Sequence, residues 1–386
     1  MSPDFDAVIA RLDRLFALDS PDAPGLVFAG AEIDGTALLP GLRRFNAAGV
    51  GTTRDTALAG CVGEAVEILS QIERDGDVAA HAAPRDVAPD AAIATWLAAH
   101  GADPAQAIDW VAATRLADGA PALLPADLCL RRAPGSGRLA PMAPLSLGCG
   151  AGATLEQAWL HGLLERIERD AVALWWRGGA APRAPALGTA APQAAATLLA
   201  TARGGAPPRR AAWLLDITTD LGIPCIAALS ADAEGFAVAL GAASRPDPAA
   251  AARAAIQEMC QLELARHLLV ARHREGAATS AGDQALLHRL TMLDAHACTL
   301  LHGGPPAIAP PSPVAPSLAG VVSRLAAHGI YAYAVALSRP ELGIAAGLVA
   351  CPALEDAPGR RAGPRLLAMR ARTGGPPETT QGVALM

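Results

Sequence analysis

Hydrophobic positions along this chain recur at helical spacing in some stretches and in short apolar runs in others. The helical pattern appears at the start, where Phe5, Val8, Ile9, Leu12, Leu15 and Phe16 predict an amphipathic helix over 5–16, followed by a Pro/Gly-marked segment. It returns through residues 56–73, 155–176, 248–274 and 317–328. Apolar runs at 212–215, 223–229, 236–240, 331–337 and 346–351 predict strands. The glycine-bearing stretches 48–51 and 148–152 read as loops that enter helices, and 79–145 as a mixture of short helices, strands and turns. Residues 180–210 form a low-complexity, Ala-rich stretch, and 304–316 a Pro-rich linker. This interleaving predicts an α/β (α+β) architecture of mixed β-sheets packed with helices. It divides into a segment over 1–45 that reads as an edge element or a helical arm able to dock a partner, a main domain over 46–372 and a flexible tail over 373–386.

Composition changes the picture by exclusion. No apolar run approaches the length of a bilayer span, and the first residues lack the cationic and apolar regions of a signal peptide, so the expected location is the cytoplasm. The seven cysteines are scattered, with no CxxC pair and no His cluster at metal-ligand spacing; they read as buried thiols. A net charge of −6 without a basic block argues against general nucleic-acid binding. The chain contains no lysine, which excludes a Schiff-base or P-loop lysine.

The candidate chemistry lies in acids placed inside apolar helices. Glu64 and Glu67, Glu165 and Glu168, and Glu258 and Gln261 each stand three apart, so three helices each present a pair of oxygen ligands on one face. Ile-Glu-Arg-Asp occurs twice, at 72–75 and 167–170, and the first two helices echo each other. One reading places these acids on solvated faces, paired with Arg169, Arg253 and Arg266. The other starts from ALAGCVGEAVEILSQ, an almost uncharged stretch in which two unpaired carboxylates would each cost several kcal/mol to bury. A hard divalent cation such as Mg²⁺ offsets that cost and bridges to phosphate, which makes the meeting point of the three helices a candidate Mg²⁺–nucleotide site. His161, one turn from Glu165, reads equally as a packed side chain or a proton carrier, and Trp175-Trp176 as core or interface aromatics.

The segment SLGCGAGATLEQAWLHGLLERIERDAVALWW (146–176) closely resembles the signature of YcaO-type proteins. The resemblance continues in GVGTTRDTALAGCVGEAVE (49–67), RAAIQEMCQLELA (253–265) and LSRPELGIAAGLVACPALE (337–355), in the same order across roughly 46–372. It implies an ATP-dependent enzyme acting on the backbone of ribosomally made peptides, cyclising Cys, Ser or Thr to azolines or forming thioamides by phosphorylation of the amide oxygen. Carried over by resemblance, Glu64, Glu67, Glu165, Glu168, Glu258 and Gln261 belong to the Mg²⁺–ATP site, the first four as metal ligands, and Arg169 contacts phosphate. A precursor peptide and a separate leader-binding protein are the implied partners, and a homodimer is compatible with the family.

The chain departs from the family pattern at several positions. The lysine of the GKG loop falls on Val50, leaving Arg54 as a substitute; the SxxxExxE serine falls on Gly60; an Asn falls on Ala153, a Glu on Gln157, and an arginine of the late strand on Gly347. The tail lacks the alternating prolines of many azoline-forming members. The alternative expectation is therefore a nucleotide-free scaffold or docking subunit of a peptide-modifying complex, and a third is an ATP-independent enzyme using the carboxylates as acid/base groups.

Overall fold

The computed structural model describes residues 5–87, 89–187, 191–205, 209–277, 280–306, 313–359, 362–380 and 383. Strands β1 (Arg14–Leu18), β2 (Val27–Asp34) and β3 (Arg44–Gly51) form an antiparallel sheet, from which the chain enters helix α1 (Arg54–Gln71). Strands β4 (Ala80–Ala82), β5 (Ile108–Arg115), β6 (Pro121–Pro125) and β7 (Cys149–Gly152) follow, and β7 leads into helix α2 (Leu155–Val172), prolonged by a π-helical turn at Ala173–Arg177. Helix α3 (Ala191–Ala202) precedes β8 (Ala211–Asp216), β9 (Cys225–Ala231) and β10 (Ala239–Ser244), and β10 leads into the long helix α4 (Pro248–Arg274). Helix α5 (Leu318–Ala326), β11 (Tyr333–Ala336), β12 (Ala345–Ala350) and helix α6 (Pro364–Thr373) come last. The strands build three sheets, ordered β1-β2-β3, β10-β9-β8 and β4-β5-β11-β12-β7, with β6 paired on β5. The α/β class of mixed sheets and helices thus holds.

One property of this topology positions everything below. The strands that lead into α1, α2 and α4 are β3, β7 and β10, and each is the end strand of its own sheet. Helix α1 lies between two of the sheets: its Ala65, Val66 and Leu69 join Ile33 and Phe45 on one side to Trp110 and Leu348 on the other in a single apolar cluster.

Four expectations are corrected. Residues 5–16 are not one helix, because helix covers Asp6–Ile9 and the chain is strand from Arg14. Phe16 pairs with Gly30 across the sheet, its ring covering the space where a Gly30 side chain would stand, and this pairing along all of β1 overrides the helical spacing. Residues 14–34 accordingly belong to the first sheet and are no detachable arm. The glycine stretches 48–51 and 149–152 are strand, not loop. The tail is anchored where it is described: Thr380 and Val383 are buried, and the Trp176 indole N–H donates to the Val383 carbonyl at 2.9 Å. Of the Pro-rich 304–316, residues 307–312 lie outside the described residues.

Trp175 donates likewise to the Leu300 carbonyl at 2.8 Å, so both tryptophans are core anchors. All seven cysteines are free and buried. No helix among the described residues is long and apolar enough to cross a membrane.

Candidate functional site

The three end strands meet their helices by the same device. A Cβ on Gly49 would stand 2.1 Å from the Ala57 carbonyl oxygen, one on Gly150 2.2 Å from that of Ala158, and one on Gly241 2.1 Å from that of Ala255. Only glycine lets strand backbone lie on helix backbone this closely. Each helix starts at a side-chain cap: Thr53 accepts from the Thr56 N–H, Thr154 from the Gln157 N–H, and Asp247 from the Ala249 and Ala250 N–H groups.

An end strand leaves backbone N–H groups unpaired on its outer side. Here helix glutamates take them. Glu64 Oε2 accepts from the Ala48 N–H at 2.8 Å, Glu258 Oε2 from the Ala242 N–H at 2.8 Å, and Glu165 Oε2 from the Gly148 N–H at 2.9 Å, just before β7. Glu67 reaches from α1 to β7 and accepts from the Ala151 N–H at 3.1 Å, tying the first two units together. Glu168 is 6% exposed and pairs with Arg169 Nε at 3.6 Å, while Arg169 Nη2 stands 3.3 Å from Glu165 Oε1.

These side chains line one cavity of about 890 Å³, and all seven residues singled out in the sequence, Gln261 included, are on its wall. The solvated-face reading fails for Arg253 and Arg266, which pair with Asp247 and Asp22 instead. It holds only in that Arg169 bridges two of the acids.

The electrostatics follow from crowding. Burial pushes the carboxyls of Glu64, Glu67, Glu168 and Glu258 above the usual carboxylate range, those of Glu67 and Glu168 well above it. The charge of Glu165 adds to the rise at all four, and Arg169 opposes it at Glu168 and Glu258. The Arg169 guanidinium, surrounded by acids, is held more firmly protonated than usual. Five carboxylates crowd around Arg169, and Arg245 also opposes the rise at Glu168 and Glu258. Among the described residues no three His, Cys, Asp or Glu side chains stand close enough to chelate a metal by themselves. The set therefore fits a hard cation that brings further oxygen ligands, as a nucleotide-bound Mg²⁺ does.

The substituted family positions have structural causes. Val50 is off the cavity wall, pairs with Phe28 across the sheet and packs against the cluster that holds Phe28, and Arg54 is exposed and likewise off the wall. A Cβ on Gly60 would stand 3.3 Å from the Gly49 Cα, so the close strand–helix contact favours the smallest residue there. Gln157 Oε1 accepts from the Ala153 N–H at 3.1 Å. The Trp159 indole fills the space over Gly347, 2.5 Å from where a Cβ would stand, and donates to the Val335 carbonyl at 3.1 Å. His161 lies on the cavity wall with Nδ1 2.8 Å from the Ala151 carbonyl, so Nδ1 carries the proton. Arg43, Arg44, Arg131 and Arg245 also line the cavity, and no spacing pattern marked them. Only the absence of lysine hints that arginines must supply its cations.

The family model described as the ATP- and Mg²⁺-binding YcaO cyclodehydratase matches residues 48–355. The chain belongs to the YcaO family. No curated protein matches it by sequence. Among solved structures, a heterocyclase in complex with substrate and cofactor is similar with a TM-score of 0.72 and 24% identity, over 96% of this chain and 54% of the other. The YcaO from Methanopyrus kandleri bound with AMPPCP and Mg²⁺ is similar with a TM-score of 0.62 and 18% identity, over 89% and 86% of the two chains. The E. coli microcin synthetase McbBCD complex is similar with a TM-score of 0.65 and 13% identity, over 88% of each. At these identities the likeness is one of fold, and this YcaO chain spans about half the length of the first heterocyclase.

Proposed function

We propose that this YcaO protein is an ATP- and Mg²⁺-dependent enzyme that cyclises Cys, Ser or Thr side chains of a ribosomally synthesised peptide onto the preceding amide to give azolines. Sulfide as external nucleophile, giving a thioamide, is the variant of the same chemistry. The observation that carries the reading is the convergence of Glu64, Glu67, Glu165, Glu168 and Glu258, from three helices, on one cavity around Arg169. Bound nucleotide and metal would supply the phosphoryl group that converts the amide oxygen into a leaving group. Glu64, Glu67, Glu165 and Glu168 would hold the metal, Glu258 and Gln261 the nucleotide, and Arg169 a phosphate. The backbone N–H groups that fix four of these glutamates hold one oxygen of each and orient the set before binding, and the second oxygen of Glu165 faces Arg169. The cavity lies within the size range of ligand pockets that enclose a nucleotide. A precursor peptide is the substrate of this reading, and a separate protein would present its leader.

A nucleotide-free docking role is favoured by one observation, the absence of a basic side chain at Val50, which is partly buried against the core and off the cavity wall. Calorimetric titration with Mg²⁺–ATP decides between them. Micromolar binding that Glu64→Gln and Glu168→Gln abolish, with ATP hydrolysis stimulated by a Cys/Ser/Thr-bearing peptide, is the expected result. A folded protein that binds no nucleotide at millimolar concentration would overturn the enzymatic reading.

A further inference from the structure

Paired arginines are the rule inside this protein. Arg132 meets Glu73, Asp109 and Asp127; Arg166 meets Asp356; Arg203 meets Glu263; Arg339 meets Asp77; Arg365 meets Asp170. Arg131, next in the chain to the most heavily paired of them, differs from these. Its guanidinium has no carboxylate and no hydrogen-bond acceptor among the described residues, and its Nε is buried without a partner. It is held instead against the Phe45 ring, 4.7 Å from the centroid, with the Arg43 guanidinium 5.5 Å from the same ring. Both arginines line the glutamate cavity.

An arginine fixed in place by an aromatic ring, with its donors left free and a second guanidinium beside it, is arranged for an anion. Burial and the neighbouring Arg43 charge both work against the protonated form of Arg131, so the pair gains from a negative partner that the protein does not provide. We infer that Arg131, with Arg43, is a phosphate-binding subsite of this cavity. The inference rests on the nucleotide reading above. Polyphosphate is the anion that suits the whole cavity, since the carboxylates on its wall repel any anion that does not carry its own divalent cation.

The test is calorimetry of Mg²⁺–ATP and Mg²⁺–tripolyphosphate on the full chain and on Arg131→Ala, Arg131→Lys and Arg43→Ala, with glutarate as a carboxylate probe. Arg131 leaves no charged partner behind, so Arg131→Ala should keep the wild-type melting temperature; Arg131→Lys retains the charge if it does not. We expect Arg131→Ala to weaken both phosphate ligands by about ten-fold or more, to reduce the salt dependence of binding, and Arg131→Lys to recover part of the loss. Wild-type and Arg131→Ala proteins that bind both phosphate ligands equally would overturn the subsite and leave the proposed function standing. Loss of glutarate binding with phosphate binding intact would overturn it in favour of a carboxylate site. A wild-type protein that binds neither phosphate ligand would overturn both the subsite and the nucleotide reading.

Discussion

Substituting Glu165 by Gln should make the ligand-free protein more stable while it weakens Mg²⁺–nucleotide binding. Glu165 is the charge that raises the carboxyls of Glu64, Glu67, Glu168 and Glu258 alike, so it stands at the centre of the repulsion in the cavity. Two unit charges about 8 Å apart in an effective dielectric of about 20 repel by roughly 2 kcal/mol. The buried neighbours are partly protonated, and the pair with Arg169 at 3.3 Å is lost, so a net gain of about 1–2 kcal/mol is reasonable. Gln keeps an oxygen for the Gly148 N–H, so no backbone donor is orphaned. For a chain of this length that gain corresponds to a rise of roughly 1–3 °C in melting temperature. A thermal melt with and without Mg²⁺–ATP reads both effects: the variant should melt higher alone and gain little from the nucleotide. A variant that melts lower alone, yet is stabilised by Mg²⁺–ATP as strongly as the wild type, would refute the placement of Glu165 at the centre of a cation site.

The same carboxyls set a pH dependence. Their folded values lie above the ordinary carboxylate value of about 4.3, so the native state keeps protons that the unfolded state gives up. Their contribution to stability is therefore fully present at lower pH and is lost as pH rises above about 4.3 through the raised values, while Mg²⁺–nucleotide affinity rises over the same range because the metal needs the ionised forms. Melting and titration series from pH 5 to 8 check both signs, and parallel trends would contradict the argument. Gly150→Ala places a Cβ 2.2 Å from the Ala158 carbonyl oxygen, and should cost about 3 kcal/mol or more in denaturant titration because strand and helix must separate; Gly63→Ala, inside helix α1 with open space around it, should instead stabilise by roughly 0.5–1 kcal/mol.

The legible part of the site was its acids. Spacing by three inside helices with few other charges is a pattern that survives without knowledge of the fold, because burying a carboxylate needs a reason, and all six residues chosen this way reached one cavity, as did Arg169, which came from the resemblance. Helix α4 was readable to its ends, and α2 through the π-helical turn. The glycine-rich strands were not. In β3 and β7 glycine is present because a helix backbone lies against the strand, a tertiary contact that leaves in the sequence only the mark of a loop. Residues 12–16 failed for the opposite reason, since Leu12, Leu15 and Phe16 match helical spacing while Phe16 serves a cross-strand contact with Gly30. Arg43 and Arg131 could not be found by spacing, because what distinguishes them is the carboxylate that each lacks, and pairing is visible only in three dimensions.

The carboxylates also need a more careful reading than their presence in the sequence allows. Gly49, Thr53, Glu64 and Glu67 recur as Gly150, Thr154, Glu165 and Glu168, so two copies of one strand–helix unit face each other, and β10 with α4 supplies a third variant. In all three units a glutamate accepts from a backbone N–H in the strand or just before it, and that structural duty would keep Glu64, Glu165 and Glu258 in place even in a protein that had given up nucleotides. Glu168 has no such duty. It caps no strand N–H, it is buried, and its carboxyl is pushed well above the usual range despite Arg169 beside it. For the fold alone an apolar residue would serve at that position as well or better. The residue that argues for a cation in this cavity is therefore the one glutamate of the second unit that the scaffold does not need.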